Sequence, residues 1–270
     1  MYAWRQKALS CELWQHDTTL SLCCTFPSCL QLGADVGLYD CDNKIVAHLS
    51  HSPDEAPGSS LRSTPFVAIA GNVGSGKTTL AKLLAHRLQC SLQLESVDDN
   101  PYLDRFYGDM SAWVFPLNMY FLGTRGQQLA DMANGTRPAV CDRSLYEDLL
   151  FVQMALDDGI TTSENYATFR LLYDVLEQAL PRPALLIYLS AQVEVLAERV
   201  ASRDRAYERG MPREYLARLQ ARYDAWIDTY AQSPVIRVDS SADWRSDESV
   251  IAPLTASVAA AFRGDPRPSP

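Results

Sequence analysis

The 270-residue sequence predicts an α/β fold of three layers, α/β/α, on a five-stranded parallel sheet, and three observations predict it. First, five apolar runs are short enough for buried strands: Phe66 to Ala70, Leu92 to Leu94, Ala139 to Cys141, Ala184 to Leu189 and Val235 to Val238. Second, helical patterns separate these runs, the alternation that covers a parallel sheet on both faces. Third, the first run leads into Gly71, Asn72, Val73, Gly74, Ser75, Gly76, Lys77, Thr78 and Thr79, and then into the helical pattern Leu80, Leu83, Leu84, Leu88. This is the G-x-x-x-x-G-K-[ST] spacing of a phosphate-binding loop.

The loop has a physical logic. Its glycines let the backbone bend around phosphate oxygens, and the following helix points free N–H groups at them. Lys77 supplies charge, and Thr78 places a hydroxyl where a magnesium ion bridges the outer phosphates. The motif therefore predicts ATP or GTP with Mg2+ as the ligand. Ligands of such sheets bind outside the carboxyl ends of the strands, so the remaining chemistry is expected there.

Composition excludes several classes of function. Hydrophobic residues make up 47%, enough for one substantial core, and the net charge of −9 argues against a nucleic-acid polymer as partner. No window of about eighteen uninterrupted apolar residues occurs, so no membrane span is expected. Of seven cysteines, Cys90 and Cys141 fall at a helix end and a strand end of the α/β region, a usage that reads as reduced, intracellular and cytoplasmic.

Residues 1–63 differ from the rest. They hold Cys11, Cys23, Cys24, Cys29 and Cys41 with weak periodicity, and they end in the linker-like HSPDEAPGSSLRSTP. No C-x-x-C pair supports a zinc site, and Glu12 and Asp17 among Arg5 and Lys7 do not suit a targeting peptide. The expectation is a poorly ordered extension of unknown role, residues 1–63, before a domain spanning 64–270.

Within that domain the second strand ends at Leu94 and Glu95. A carboxylate there is placed to accept a proton from a hydroxyl that attacks phosphorus; a solvated loop acid is the other reading of the same spacing. On the next long helix Asn118, Phe121 and Arg125 fall at i, i+3 and i+7 and share one face. An amide and a guanidinium beside an aromatic suit recognition of a flat heterocycle better than core packing does.

The third strand runs into CDRSLYED. Asp142 can hold a magnesium-bound water and Arg143 can neutralise a transferring phosphoryl group, although a structural ion pair fits the same short motif. Arg199, Arg203 and Arg205 precede YERGMP, a Gly- and Pro-containing segment that suggests a lid closing positive charge over phosphates; a solvated basic face is the alternative.

Taken in order, GNVGSGKTT, the glutamate after the second strand, DDNPYLDRFY, W-x-F-x-L-x-x-Y-F-L, DRS-x-Y-E-D, R-x-x-x-R-x-R and EYLARLQARYDAW resemble the deoxynucleoside kinase family, with greatest likeness to bacterial deoxyguanosine and deoxyadenosine kinases. The resemblance spans about residues 65–262. It implies a P-loop kinase fold with a helical lid, and transfer of the γ-phosphate of ATP to the 5′-hydroxyl of a deoxyribonucleoside, a purine one, in nucleotide salvage. It also implies a homodimer.

The same resemblance makes Glu95 the general base, Arg143 the arginine near the acceptor 5′-hydroxyl, and Asp142 the acid near magnesium. It makes Arg199, Arg203 and Arg205 lid arginines. Tyr107 and Glu208 match the pair that meets the sugar 3′-hydroxyl, Arg125 and Asp148 the charged pair of members that take purines or deoxycytidine, and Asp243 and Trp244 a loop flanking the donor base. Asn118 stands where the family usually presents a glutamine, one methylene longer, which leaves base preference open. The phosphate loop alone also fits a P-loop ATPase or GTPase switch or another nucleoside or nucleotide kinase, and a second alternative is a catalytically silent binding or assembly subunit, whose expected loss of base and lid charges the sequence does not show.

Overall fold

Alternation along one strand sets the layers. The computed structural model describes residues 64–95, 100–203, 205 and 211–265, together with the backbone of five short strands upstream. Upstream, β1 (Leu13–His16) pairs antiparallel with β2 (Thr19–Leu22), and β3 (Gln31–Leu32), β4 (Gly37–Tyr39) and β5 (Ile45–His48) form an antiparallel sheet. These belong to the first of two compact units, Met1–Leu61 and Arg62–Pro270. The five upstream cysteines lie outside the described residues.

The second unit runs β6 (Phe66–Gly71), α1 (Lys77–Leu88), β7 (Ser91–Gln93), α2 (Leu103–Gly108), α3 (Met110–Ala133) and β8 (Ala139–Asp142). A 3-10 turn at Leu145–Glu147 precedes α4 (Asp148–Asp157), α5 (Ser163–Ala179), β9 (Leu185–Ser190), α6 (Val193–Arg203), α7 (Arg213–Thr229), β10 (Val235–Asp239) and α8 (Glu248–Arg263). The five strands pair in the order β10-β9-β6-β8-β7, every pair parallel. The predicted five-stranded parallel sheet is therefore present, with strand ends within a residue or two of the apolar runs.

Phe66, Ala68 and Ala70 of β6 point into one core with Leu122, Leu129, Phe169 and Tyr223 of α3, α5 and α7. Val67 and Ile69 point into the other, with Leu80 and Leu84 of α1 and Ile251 and Leu254 of α8. Every β6 residue is buried, so each apolar side chain stabilises the fold by about 1.5–3 kcal/mol where it is as large as Val or Ile. Such central strands read as unbroken apolar runs because both faces are covered.

Topology then opens the site. The connection after β6 leaves toward β7, whereas that after β8 leads to β9 on the far side of β6. A crevice between the carboxyl ends of β6 and β8 follows from these opposite departures. Gly71 ends β6 with φ 147°, and a Cβ there would lie 2.5 Å from the Leu189 carbonyl oxygen, so glycine is required.

Candidate active site

The phosphate loop and the residues after β7 and β8 converge on one cavity of about 610 Å³. Lys77, Thr78, Glu95, Asp142 and Arg143 line it, as do Asn118, Phe121, Arg125 and Asp148. Val73, Gly74, Tyr107, Arg203 and Arg205 complete the sequence-predicted residues that reach it.

The loop is poised for an anion. The first backbone bond of α1 runs from the Leu80 N–H to the Gly76 carbonyl at 3.0 Å, so the N–H groups of Lys77, Thr78 and Thr79 precede the helical ladder. Lys77 is buried and donates its Nζ to the Asn72 carbonyl at 2.7 Å. Burial, with Arg143 second, lowers its ammonium to about 8, a value that a bound anion would raise again. Asn72 is itself fully buried: its amide donates to the Leu216 carbonyl of α7 at 2.9 Å, and its Oδ1 accepts from the Val73 N–H at 2.7 Å.

Thr78 Oγ1 donates to Asp142 Oδ2 at 2.5 Å, and Asp142 Oδ1 is buried with no hydrogen-bond partner. A hydroxyl and an orphaned carboxylate oxygen beside the loop fit a magnesium ion, which takes few protein oxygens and completes its shell with phosphates and water. Among the described residues there is no group of three or more His, Cys, Asp or Glu side chains that would hold a metal without such a ligand.

Arg143 follows β8 in the left-handed region, φ 76°, uncommon for a residue with a long side chain. Its backbone N–H donates to the Ile69 carbonyl at 3.0 Å, which ties the strained residue to β6. Nε donates to Glu95 at 3.1 Å, Nη1 to Glu147 at 3.1 Å and to the Tyr223 hydroxyl at 2.8 Å, and the guanidinium lies 5.1 Å from the centre of the Phe151 ring. Arg125 donates to the other Glu95 oxygen at 2.6 Å and also pairs with Asp148. Glu95 thus joins the two guanidiniums. Burial alone would push its carboxyl up, but Arg143, Arg125 and Lys77 outweigh burial and hold it below the ordinary carboxylate value.

Asp148 has the opposite balance. Burial pushes its carboxyl up to about 7; Arg125 opposes the shift, and the Glu147 and Glu95 carboxylates add to it. One guanidinium serves two acids here. Arg125 Nε and Asp148 Oδ2 are buried without partners and leave one donor and one acceptor for a ligand. Arg125 also lies 4.9 Å from the centre of the Phe121 ring. Asn118 turns its amide onto its own helix, donating to the Val114 carbonyl at 2.8 Å.

Other predicted residues are placed differently. Ser75 is buried beneath the loop and Thr79 faces solvent. Arg199 points to the Ser241 and Ala242 carbonyls, each 3.4 Å from Nη2, and does not line the cavity. Asp243 is exposed and paired with Arg245 at 2.7 Å; Trp244 is buried with its ring against Gly76. Glu208 lies outside the described residues. Sequence reasoning missed Glu147 and Tyr223, which surround Arg143. The first carried a signal, since Ser144-x-x-Glu147 is a capping-box spacing, and the structure forms the half of that box in which the Ser144 N–H donates to Glu147.

Known proteins resemble this chain in sequence and in fold. A family model described as deoxynucleoside kinase matches residues 67–262. A deoxyadenosine/deoxycytidine kinase of Bacillus subtilis is 37% identical over 176 residues, 64% of this chain and 81% of that protein. A deoxyguanosine kinase of the same organism is 33% identical over 171 residues, covering 62% and 80%, and a deoxyadenosine kinase of Dictyostelium discoideum is 36% identical over 193 residues, covering 71% and 78%. The solved structure of a deoxyadenosine kinase from M. mycoides with dCMP and a flexible dCDP bound superposes with a TM-score of 0.65 at 27% identity, over 72% of this chain and all of that one.

The raised Asp148 carboxyl has a measurable consequence. Between pH 3.8 and about 7 the folded state keeps a proton that the unfolded state releases, so this group's contribution to stability falls as pH rises and is flat above about 7. Chemical unfolding of the wild type and of Asp148→Asn at pH 4, 5, 6 and 7 isolates it. The wild type should lose stability relative to the variant across this range, by about 4 kcal/mol at most. A difference that grows in favour of the wild type as pH rises would mean that Arg125 holds Asp148 ionised instead.

Proposed function

The chain belongs to the deoxynucleoside kinase family, and from that premise we propose that it transfers the γ-phosphate of ATP to the 5′-hydroxyl of a purine deoxyribonucleoside. One observation carries the reading: Glu95, bridged by Arg143 and Arg125, stands in the same cavity as Lys77, Thr78 and Asp142. A carboxylate that can meet a hydroxyl and a loop that can hold a triphosphate are thereby adjacent.

In this reading the loop N–H groups and Lys77 hold the outer phosphates, and Arg143 balances charge on the transferring group. Thr78 and Asp142 would hold Mg2+, which would supply charge neutralisation at the phosphates. Glu95 is ionised at neutral pH, accepts a hydrogen bond from the 5′-hydroxyl and takes its proton. Little basicity is demanded, since phosphoryl transfer passes through a loose transition state in which positioning dominates.

Phe121 and the free edges of Arg125 and Asp148 suit a flat base with both donors and acceptors, and Tyr107 and Glu208 take the sugar 3′-hydroxyl. The relatives' deoxyadenosine and deoxyguanosine kinase names support a purine. Arg203 and Arg205 close on the phosphates, and Arg199, Asp243 and Trp244 frame the donor side. Residues 1–63 take no part in transfer in this reading, since the motifs that make up the site all lie after them in the sequence.

No helix among the described residues is long and apolar enough to cross a membrane. The free thiols Cys90 and Cys141 support a reducing compartment, the cytoplasm.

A second copy of the chain is the partner. Leu171, Leu172 and Val175 stand 65%, 41% and 57% exposed on α5, an apolar face a monomer would leave in water.

The test of activity is a panel of ribo- and deoxyribonucleosides with γ-labelled ATP, run on the full chain and on a chain lacking residues 1–60. Deoxyadenosine and deoxyguanosine should give 5′-monophosphates faster than thymidine or any ribonucleoside, and truncation should change the rates by no more than a few-fold. Label released only as inorganic phosphate would instead favour a hydrolytic switch, deoxycytidine as best acceptor would refute the purine preference, and a folded, ATP-binding truncation without transfer would refute the passive extension.

Light scattering tests the partner. The wild type should run at twice the chain mass and Leu171→Glu/Val175→Glu at the chain mass with an unchanged fold; a monomeric wild type, or an unaltered mass in the variant, removes this face as the interface.

A further inference from the structure

Arg143 reaches the cavity from a left-handed residue, so its backbone alone does not determine where its guanidinium points. Three groups supply the direction. Nε is taken by Glu95, and Nη1 by both Glu147 and the Tyr223 hydroxyl, which leaves Nη2 outside these bonds. The Tyr223 hydroxyl oxygen accepts from Arg143 Nη1 at 2.8 Å while its proton goes to Glu147 Oε2, closing a triangle of donor, relay and acceptor. Both Tyr223 and Glu147 are fully buried.

The triangle is anchored on rigid parts. Glu147 Oε1 also accepts from the Ser144 N–H at 3.2 Å, at the start of the turn after β8. The Tyr223 ring stacks on Tyr188 of β9 at 6.1 Å and 19°, with Trp226 and Phe151 edge-on to it at 6.1 and 6.4 Å. A phenol held by three aromatic neighbours has no rotational freedom to lose when it aims its hydroxyl, the condition for a preorganised charge.

We infer that Tyr223, through its hydrogen bonds to Arg143 and Glu147, is a positioning residue that turns Arg143 Nη2 toward the transferring phosphoryl group. Tyr223 does not line the cavity and touches no substrate; it acts through Arg143 alone. The inference rests on the kinase reading above.

The experiment is a double-mutant cycle on the full chain, with steady-state kinetics for ATP and the best nucleoside, normalised to folded protein by thermal melting. Tyr223→Phe keeps the stacked ring and removes the relay. Its kcat should fall roughly ten- to a hundred-fold with both KM values within about three-fold, because a misdirected charge matters most in the transition state. Arg143→Lys cannot make the forked bonds, and on that background Tyr223→Phe should change kcat by less than about two-fold.

Unchanged kcat in Tyr223→Phe, or a loss that repeats in full on the Arg143→Lys background, overturns the inference, since a merely structural phenol would act independently of residue 143. Should Tyr223→Phe fail to fold, Glu147→Gln in the same cycle must show the same kcat loss and non-additivity; additive behaviour again overturns it. A wild type without phosphoryl transfer would refute the kinase reading itself and is separable from either result.

Discussion

Two guanidiniums share three carboxylates inside this protein, and the rest of the site is arranged around that constraint. Arg143 serves Glu95 and Glu147, and Arg125 serves Glu95 and Asp148, with Lys77 as a further positive charge nearby. Desolvating such a cluster costs several kcal/mol per ion, so the cluster is no stabiliser in itself compared with an apolar core. What it provides is direction. Every charged atom that is pinned by its neighbour arrives at the cavity in one orientation, and the acids respond unequally: Glu95 between two guanidiniums stays ionised, whereas Asp148, sharing one, is pushed up to about 7.

The sheet makes the cluster possible at little further cost. Opposite departures of the chain after β6 and β8 bring Gly71 and Asp142 to adjacent strand ends, and both flanking layers are sealed by apolar side chains. Strain is confined to a few backbone positions. Gly71 and Arg143 occupy positive φ values, and Arg143 is retained there by its N–H bond to Ile69 and by the side-chain bonds already described. Helix α7 meets both halves of the site: Leu216 receives the Asn72 amide under the phosphate loop, and Tyr223 meets Arg143 about two turns later. A single helix thus braces the donor side and the transfer side together.

Much of this was legible in the sequence because local signals and global fold agree. The unbroken apolar run of β6 and the glycine spacing after it each map to a place in the structure, and Asn118, Phe121 and Arg125, spaced i, i+3 and i+7, line one cavity, although Asn118 turns its amide onto the Val114 carbonyl. Glu95 could be singled out by its place after a strand, but not its two arginine partners, since Arg125 is 30 residues away and Arg143 48. Tyr223 was invisible for the same reason: its spacing on α7 is that of an ordinary core residue, and only the fold brings its hydroxyl to Arg143, 80 residues earlier. Arg199 shows the converse. Its helical register with Arg203 suggested a shared role, yet its side chain is drawn to the Ser241 and Ala242 carbonyls.

The central claim is that Glu95, fixed by two guanidiniums, takes the proton from the attacking hydroxyl. Single-turnover phosphoryl transfer by Glu95→Gln, measured beside thermal melting and ATP binding on the same preparation, tests it most directly. The amide keeps the shape but cannot accept the proton, so the account predicts a rate lower by about two to four orders of magnitude per folded molecule with ATP affinity preserved. A rate per folded molecule equal to that of the wild type would contradict the account and leave Glu95 as a structural counter-ion of Arg143 and Arg125.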